Sequence, residues 1–415
     1  MVRMQASRYA IIPVPEAQRI INSHTPCLDT EEISLYEADG RTLAEDVAAD
    51  IEMPPFPTTT VDGYAIIASD GMTPRRVLGE VSAGHSGESS LRSGEALRIM
   101  TGAPLPQNAD AVAMVEHVVS NGDYIQTTQT PSPGDGILPR GIDLQANQNV
   151  LSKHARLGPA EIGLLATVGR SRISVYRRPV VAVVSTGDEL VEPHEPLGPG
   201  NIRDSNRYAL LASVADAGGI PLSFGAVKDD EAEQRRRIEE ALEAGDVLLT
   251  SGGVSVGSRD LIKPIFEQLG TVHFGRVSVR PGKPLTFATF ESGKLAFGLP
   301  GFPVSSLVTF EVFVRPTLLR MQGRLDSSRP WVKVKLTEEL NPTPDRTDYQ
   351  RVVVSWTDGE LIARSTGRQV SSRIMSMIGA NALVRVSPGT EPIPAGSPAD
   401  AMLTGPVLGA MTPRI

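Results

Sequence analysis

The chain has 415 residues with 40 Lys+Arg against 48 Asp+Glu, a formal net charge of −8, which excludes sequence-independent nucleic-acid binding over a general basic surface. Hydrophobic residues make up 40% and charged residues 21%, ordinary globular values that exclude wholesale disorder and collagen, and the length implies two to four domains. A single cysteine, Cys27, excludes an intramolecular disulfide framework and fits a reducing compartment; with no signal-peptide core and no apolar run near the roughly 18 residues of a membrane span, no membrane partner and a cytoplasmic location are expected.

In chain order, Ala17, Ile20 and Ile21 after Pro15 suit a short amphipathic helix, and the nearby pair His24 and Cys27 reads as a surface turn before it reads as a metal site. From Asp50 to about Asp143 the chain is strand- and turn-rich, a β-type insert at residues 51–144. A helical stretch around Glu161 to Ala166 follows, so residues 1–50 and 145–178 are expected to close into one linking domain from which the insert projects. Over 179–326 the pattern alternates: strand Val180 to Val184, a helix capped by Ser205, strand Leu222 to Val227, helix Glu231 to Ala244, strand Val247 to Thr250, helix Leu261 to Leu269. Such alternation predicts an α/β domain with a parallel sheet and helices on both faces. Leu285 to Phe290 and Lys294 to Phe297 predict a hairpin, Val304 to Met321 a helix interrupted near Pro316, and alternating runs from Trp331 a C-terminal β domain at 327–415.

In a doubly wound sheet ligands collect at the carboxyl ends of the strands. Two loops fall there, Ser185-Thr186-Gly187-Asp188-Glu189 and Ser251-Gly252-Gly253-Val254-Ser255-Val256-Gly257. Glycine admits a phosphate close to backbone, hydroxyls donate to it, and Asp188, Glu189 or Asp260 could hold a hard cation such as Mg²⁺. Each loop alone reads equally as a tight turn. Neither a Walker A sequence nor GxGxxG occurs in them, and although Gly253 to Gly257 matches a nucleophile elbow, His273 follows too closely for a Ser, acid and His triad from successive strand ends. Arg280-Pro-Gly-Lys283-Pro284 and Gly298-Leu-Pro300-Gly301-Phe302-Pro303 read as a proline-stiffened anion seat in preference to a solvated basic turn.

Taken together, Arg98-Ile-Met-Thr-Gly-Ala-Pro104, Ser185-Thr-Gly-Asp-Glu-Leu190, Asp204-Ser-Asn206, Ser251 to Gly257 with Asp260, Pro281-Gly-Lys-Pro284 and Gly298-Leu-Pro-Gly301 resemble the molybdopterin molybdenumtransferase family (MoeA and the E domain of gephyrin) across nearly the whole chain. The resemblance implies an α/β multidomain fold: a central parallel-sheet molybdopterin-binding domain, a linking domain, a β-rich insert and a C-terminal β barrel. It implies insertion of molybdate into adenylylated molybdopterin (molybdopterin-AMP) with release of AMP, Mg²⁺ as cofactor, a homodimer, and a molybdopterin adenylyltransferase as candidate partner. Residue by residue it places Asp62, Asp143, Glu189, Asp260 and Lys283 in catalysis, with Glu189 and Asp260 on the metal. It places Thr186, Gly187, Asp188, Asp229, Ser251, Gly252, Gly253, Ser255, Arg280, Pro300 and Gly301 on the pterin nucleotide. Asp62 and Asp143 are expected to act across the dimer. Asp348-Tyr-Gln-Arg351, Ser371 to Met377 and Ala380-Asn381 also resemble the family.

The departures cluster. Where the family reads PPFDNSAMDGYA this chain has Pro57, Thr58 and Thr59, a family arginine is Leu138, the first lysine of KPGKP is Arg280, and the asparagine of GLPGNPVS is Phe302. Arg280 keeps the charge and can grip an oxyanion with two donors, whereas Leu138 and Phe302 cannot replace a polar contact. Rival readings are a divergent pterin-binding scaffold, a paralogue that prefers tungstate, and a molybdopterin adenylyltransferase.

Overall fold

Near-continuous apolar strands need cover on both faces. In the computed structural model, which describes residues 9–84, 89–253, 261–291 and 293–409, three such strands, Val180–Thr186, Val247–Ser251 and Leu295–Leu299, form the centre of a six-stranded sheet. Ile220–Val227 flanks Val180–Thr186, and these four strands run parallel. The hairpin expected near residue 290 adds Thr286–Thr289 antiparallel, and Thr271–Phe274 pairs antiparallel with that strand at the edge. The sheet is thus mixed at one edge, not parallel throughout, because the connection between residues 289 and 295 is too short for a crossover. Side chains alternate between layers: Val181, Val183 and Leu249 pack with Leu210, Val214 and Val308, whereas Ala182, Val184 and Leu248 pack with Ile238, Ala241 and Phe266.

One helix expectation needs correction and another gains detail. The helix Ser205–Asp216 is capped by Asp204, not Ser205: the Asp204 carboxylate accepts the Arg207 N–H at 3.1 Å, and Asp caps as well as Ser. The stretch 304–321 is a helix Pro303–Thr309, a π-helical turn Phe310–Val314 and a helix Arg315–Met321. Pro316 has no N–H for the Val312 carbonyl four residues back, and that carbonyl instead accepts Gln18 Nε2 at 3.3 Å. The donor sits on the N-terminal helix Val14–His24, whose buried face, Val14, Ala17 and Ile21, joins the core under the α/β sheet.

On either side of the insert, Thr30–Ser34 pairs with Arg172–Tyr176 and Val47–Ala48 with Asn149–Leu151. Ile33, Leu43, Val47, Leu157, Leu165 and Val175 share one core there. The insert itself carries a six-stranded sheet ordered Ala111–Met114, Gly63–Ile66, Glu95–Ile99, Arg75–Val81, Tyr124–Thr127, Val118–Asn121.

The C-terminal strands close into a five-stranded barrel. Thr347–Thr357 pairs with both Glu360–Ser365 and Ala382–Val386, and Trp331–Leu336 and Pro398–Leu403 complete the ring, which removes exposed edges. Asn381 locks it: Oδ1 accepts the Val354 N–H at 2.6 Å, and Nδ2 donates to the Val354 and Pro406 carbonyls at 2.8 Å each. Asn381→Ala is therefore expected to cost roughly 3 kcal/mol, because buried backbone groups lose their partners. Faster hydrogen exchange at the Val354 amide and a lower denaturation midpoint are the measurements that check it.

An ion-pair lock joins the linking segment to the sheet. Arg177 donates twice to Asp246, at 2.7 and 2.8 Å, and the Val180 N–H adds a third bond at 2.8 Å. Burial alone pushes the Asp246 carboxyl up, but these hydrogen bonds and the charges of Arg177 and Lys294 outweigh it and hold the carboxyl below its ordinary value. A folded-state pKa below the unfolded one gives stability that is whole above the ordinary carboxylate range and is lost as pH falls through the depressed value. Melting temperature followed from neutral to acid pH should fall less steeply in Asp246→Asn than in the unaltered protein.

Candidate active-site cleft

Three parallel strands end on one edge of the sheet, at Thr186, Ser251 and Leu299. Their loops line a cleft of about 1050 Å³, closed from the other side by the C-terminal barrel. The chain turns sharply at this edge. Gly252 has φ +93°, and a Cβ there would lie 2.6 Å from the Thr186 carbonyl oxygen, so only glycine lets the two strand ends approach so closely. Asn206, on the first turn of the helix Ser205–Asp216, donates to Ser251 Oγ and to the Gly301 carbonyl, both at 2.8 Å. One amide thereby ties two strand-end loops to a helix start.

Of the residues expected at the site, Thr186, Gly187, Glu189, Asp229, Gly252, Gly253, Arg280, Lys283, Pro300 and Gly301 line this cleft, and Ser251 lines a smaller recess beside it. Thr186 is buried, and its Oγ1 has no hydrogen-bond partner among the described residues, which makes it an orphaned donor at the cleft wall. Asp188 is not in the lining; its Oδ1 accepts the Asp229 N–H at 3.0 Å and so shapes the loop that presents Asp229. Ser255 and Asp260 lie outside the described residues.

Arg280 reaches the cleft through tertiary structure. Val279–Arg280 adds in parallel to the barrel strand Thr347–Thr357, with Arg280 opposite Asp348. The Arg280 guanidinium lies 3.5 Å from the Asp348 carboxylate, which is 1% exposed as a residue. Burial pushes the Asp348 carboxyl up, against the opposing charges of Arg280, Arg351 and Arg346 and a hydrogen bond from Gln350. Arg351, fully buried beside it, has its guanidinium pushed down to about 10 by burial. From the same barrel, Arg346, Ser371 and Ser372 line the cleft. Sequence reasoning did not name these three, nor Asn206, as site residues. The only signal was that the segments carrying Asn206, Ser371 and Ser372 belong to the family-like motifs.

Asp62 and Asp143 are exposed and do not line the cleft of their own chain. Asp62 Oδ1 accepts the Thr101 N–H at 2.7 Å and the Thr101 hydroxyl at 2.9 Å, and these bonds hold its carboxyl below the ordinary value. The insert departures turn out to be neighbours: Thr58 pairs with Leu138 and Thr59 with Ile137 in one short antiparallel ladder. Thr59 Oγ1 spends its hydrogen bonds on the Val61 backbone, so an apolar partner across the ladder leaves nothing unsatisfied there. His24 lies against His273 with the rings tilted by 43° and their centroids 4.0 Å apart, and His273 meets Thr289 Oγ1 at 2.9 Å. Neither histidine lines the cleft, and among the described residues no group of three or more His, Cys, Asp or Glu could hold a metal ion.

Fold and cleft together define a class: a multidomain α/β protein that offers a cationic, loop-built ligand cleft at the carboxyl edge of its sheet, roofed by a β barrel. Family models cover most of the chain, the MoeA N-terminal region (domains I and II) at residues 12–169, a probable molybdopterin-binding domain at 182–320 and the MoeA C-terminal region (domain IV) at 333–404. The chain belongs to the MoeA family, the molybdopterin molybdenumtransferases of molybdenum cofactor biosynthesis. It is 36% identical to the molybdopterin molybdenumtransferase of Nostoc over 86% of this chain and 84% of that one, and 34% identical to that of Bacillus subtilis over 94% of each. Dictyostelium discoideum gephyrin matches at 34% over 97% of this chain, which spans only 64% of that longer protein. The crystal structure of the molybdopterin biosynthesis MoeA protein from Pyrococcus horikoshii superposes with a TM-score of 0.82 at 33% identity, covering 96% of this chain and all of that one.

Proposed function

We propose that the cleft binds adenylylated molybdopterin together with molybdate, and that the chain transfers molybdenum to the pterin with release of AMP. The observation that carries the reading is the lining itself. Arg203, Arg280, Lys283 and Arg346 supply positive charge and Glu189 and Asp229 supply carboxylate oxygens within one cleft, a donor set suited to a pyrophosphate and an oxyanion. Arg280 and Lys283 bind anionic oxygens, Thr186 Oγ1 donates to a phosphate oxygen, and Ser371 and Ser372 offer hydroxyls from the barrel side.

Mg²⁺ fits this donor set. It takes hard oxygen ligands, needs only one or two carboxylates beside phosphate and keeps its remaining waters; Glu189 and Asp229 would hold it, and when bound it offsets the charge of the phosphoanhydride. Asp260 is proposed as a further ligand on the resemblance alone. Asp62 and Asp143 act across a homodimer, since each lies outside the cleft of its own chain. A cytoplasmic site of action and an adenylyltransferase supplying the adenylylated substrate complete the reading.

The test is AMP release from molybdopterin-AMP with Mg²⁺ and either molybdate or tungstate. Oxyanion-dependent release is expected, with Glu189→Gln reducing it about 100-fold or more if one preorganised charge interaction is lost. Substrate binding without release moves the function to a pterin-binding scaffold, and pyrophosphate release from ATP moves it to an adenylyltransferase.

A further inference from the structure

The Phe302 ring is exposed inside the cleft, unlike six other phenylalanines of the chain, which are packed in its cores. Phe266, Phe274, Phe287, Phe297, Phe310 and Phe313 are all at most 2% exposed, whereas Phe302 is 58% exposed and lines the cleft. Its backbone is held at three points. The Phe302 carbonyl accepts the Ser306 N–H at 2.9 Å, Asn206 grips the preceding carbonyl of Gly301, and Pro303 opens the helix Pro303–Thr309 immediately after it. Facing elements extend the apolar surface: Val370 and Ile374 of the barrel, 49% and 37% exposed, line the same cleft, and the barrel segment is tied to this helix by the Val304 N–H donating to the Ser371 carbonyl at 3.1 Å. One part of the cleft is therefore cationic, at Arg280 and Lys283, and another is apolar and carries a ring on a fixed backbone. A ligand with anionic groups and a flat heteroaromatic ring matches both.

We propose that Phe302 is an aromatic platform on which a planar heteroaromatic ring of the substrate, pterin or adenine, stacks while the cations hold its phosphates. The inference rests on the reading of the cleft as the adenylylated-pterin site and deepens it. An exposed ring is hydrated at a free-energy cost in the free protein, and that cost is recovered when a flat ligand covers its face; ring-on-base stacking is lost on truncation to alanine at about 1–3 kcal/mol per base. Phe302 is then a specificity residue in place of the polar contact that an asparagine would make.

The experiment titrates the full-length protein and its Phe302→Ala, Phe302→Tyr and Arg280→Ala variants separately with AMP and with pterin-6-carboxylate, by calorimetry, alongside thermal melts. Phe302→Ala is expected to weaken one probe by about tenfold or more, with Phe302→Tyr close to the unaltered protein and the melting temperature unchanged. Loss confined to AMP assigns the platform to adenine, and loss confined to the pterin assigns it to the pterin. If Phe302→Ala binds both probes as the unaltered protein does while Arg280→Ala weakens them, the platform is wrong and the cleft reading stands. If the unaltered protein binds neither probe, the cleft reading falls and the platform with it.

Discussion

Arg207→Met is expected to destabilise the α/β domain by about 3–5 kcal/mol. Arg207 is 6% exposed and satisfies three neighbours at once: Nε donates to Asp204 at 2.9 Å, one terminal nitrogen to Glu192 at 2.5 Å and the other to Ser223 Oγ at 2.9 Å. Asp204 is itself 2% exposed, so removing the guanidinium leaves a carboxylate in the interior with no counter-charge. The loss should be recovered in large part by adding Asp204→Asn, which removes the stranded charge and still caps the helix Ser205–Asp216. Denaturation midpoints of the two single variants and the double variant check this. Equal losses in Arg207→Met and the double variant would show that packing of the arginine stem, and not the buried pair, carries the effect.

Gly252→Ala is expected to lower AMP release about 100-fold, the scale on which a misplacement near 1 Å acts. At φ +93° an alanine costs about 1–2 kcal/mol on backbone grounds alone. Its Cβ would also meet the Thr186 carbonyl oxygen at 2.6 Å, and that oxygen belongs to backbone that cannot rotate away. The two strand ends must part, which moves Gly252, Thr186 and the Leu299 carbonyl that accepts the Gly252 N–H at 3.2 Å. Steady-state kinetics with a parallel thermal melt separate the outcomes. A fall in kcat with a small change in melting temperature supports displacement of the site, whereas full activity would show that the loop relaxes without cost to the cleft.

The strand-end loops were legible because their signals are local. An apolar run followed by hydroxyl, glycine and carboxylate marks a strand ending in a ligand-facing turn, and Thr186, Gly187 and Glu189 of one loop and Gly252 and Gly253 of the other line the cleft. The hairpin that reverses Thr286–Thr289 was legible too, from the run lengths on either side of Gly293. What it did to the sheet was not read, because the alternation upstream suggested parallel strands throughout. Asp188 was read as a ligand contact since it sits in the right loop, but a carboxylate in a turn can equally serve a backbone N–H, and it serves that of Asp229. Asn206 went unassigned because its value lies in reaching Ser251 and Gly301, 45 and 95 residues further along the chain. Leu138 and Thr58, far apart in the chain, are one ladder pair.

By itself the sequence determined the α/β alternation, the β character of the insert and of the C-terminal region, and the chemistry of the loops, since each depends on residue type and short-range periodicity. Tertiary structure decided which of those loops share a cleft. Arg280 faces Asp348 only because a two-residue strand crosses onto the barrel, and Arg346, Ser371 and Ser372 join the site only because the barrel closes over the sheet edge. Asp62 and Asp143 carry similar acidic chemistry and still stand outside the cleft. Contacts between segments so far apart in the chain are set by how whole layers bury their apolar faces, and no local pattern of residues records that choice.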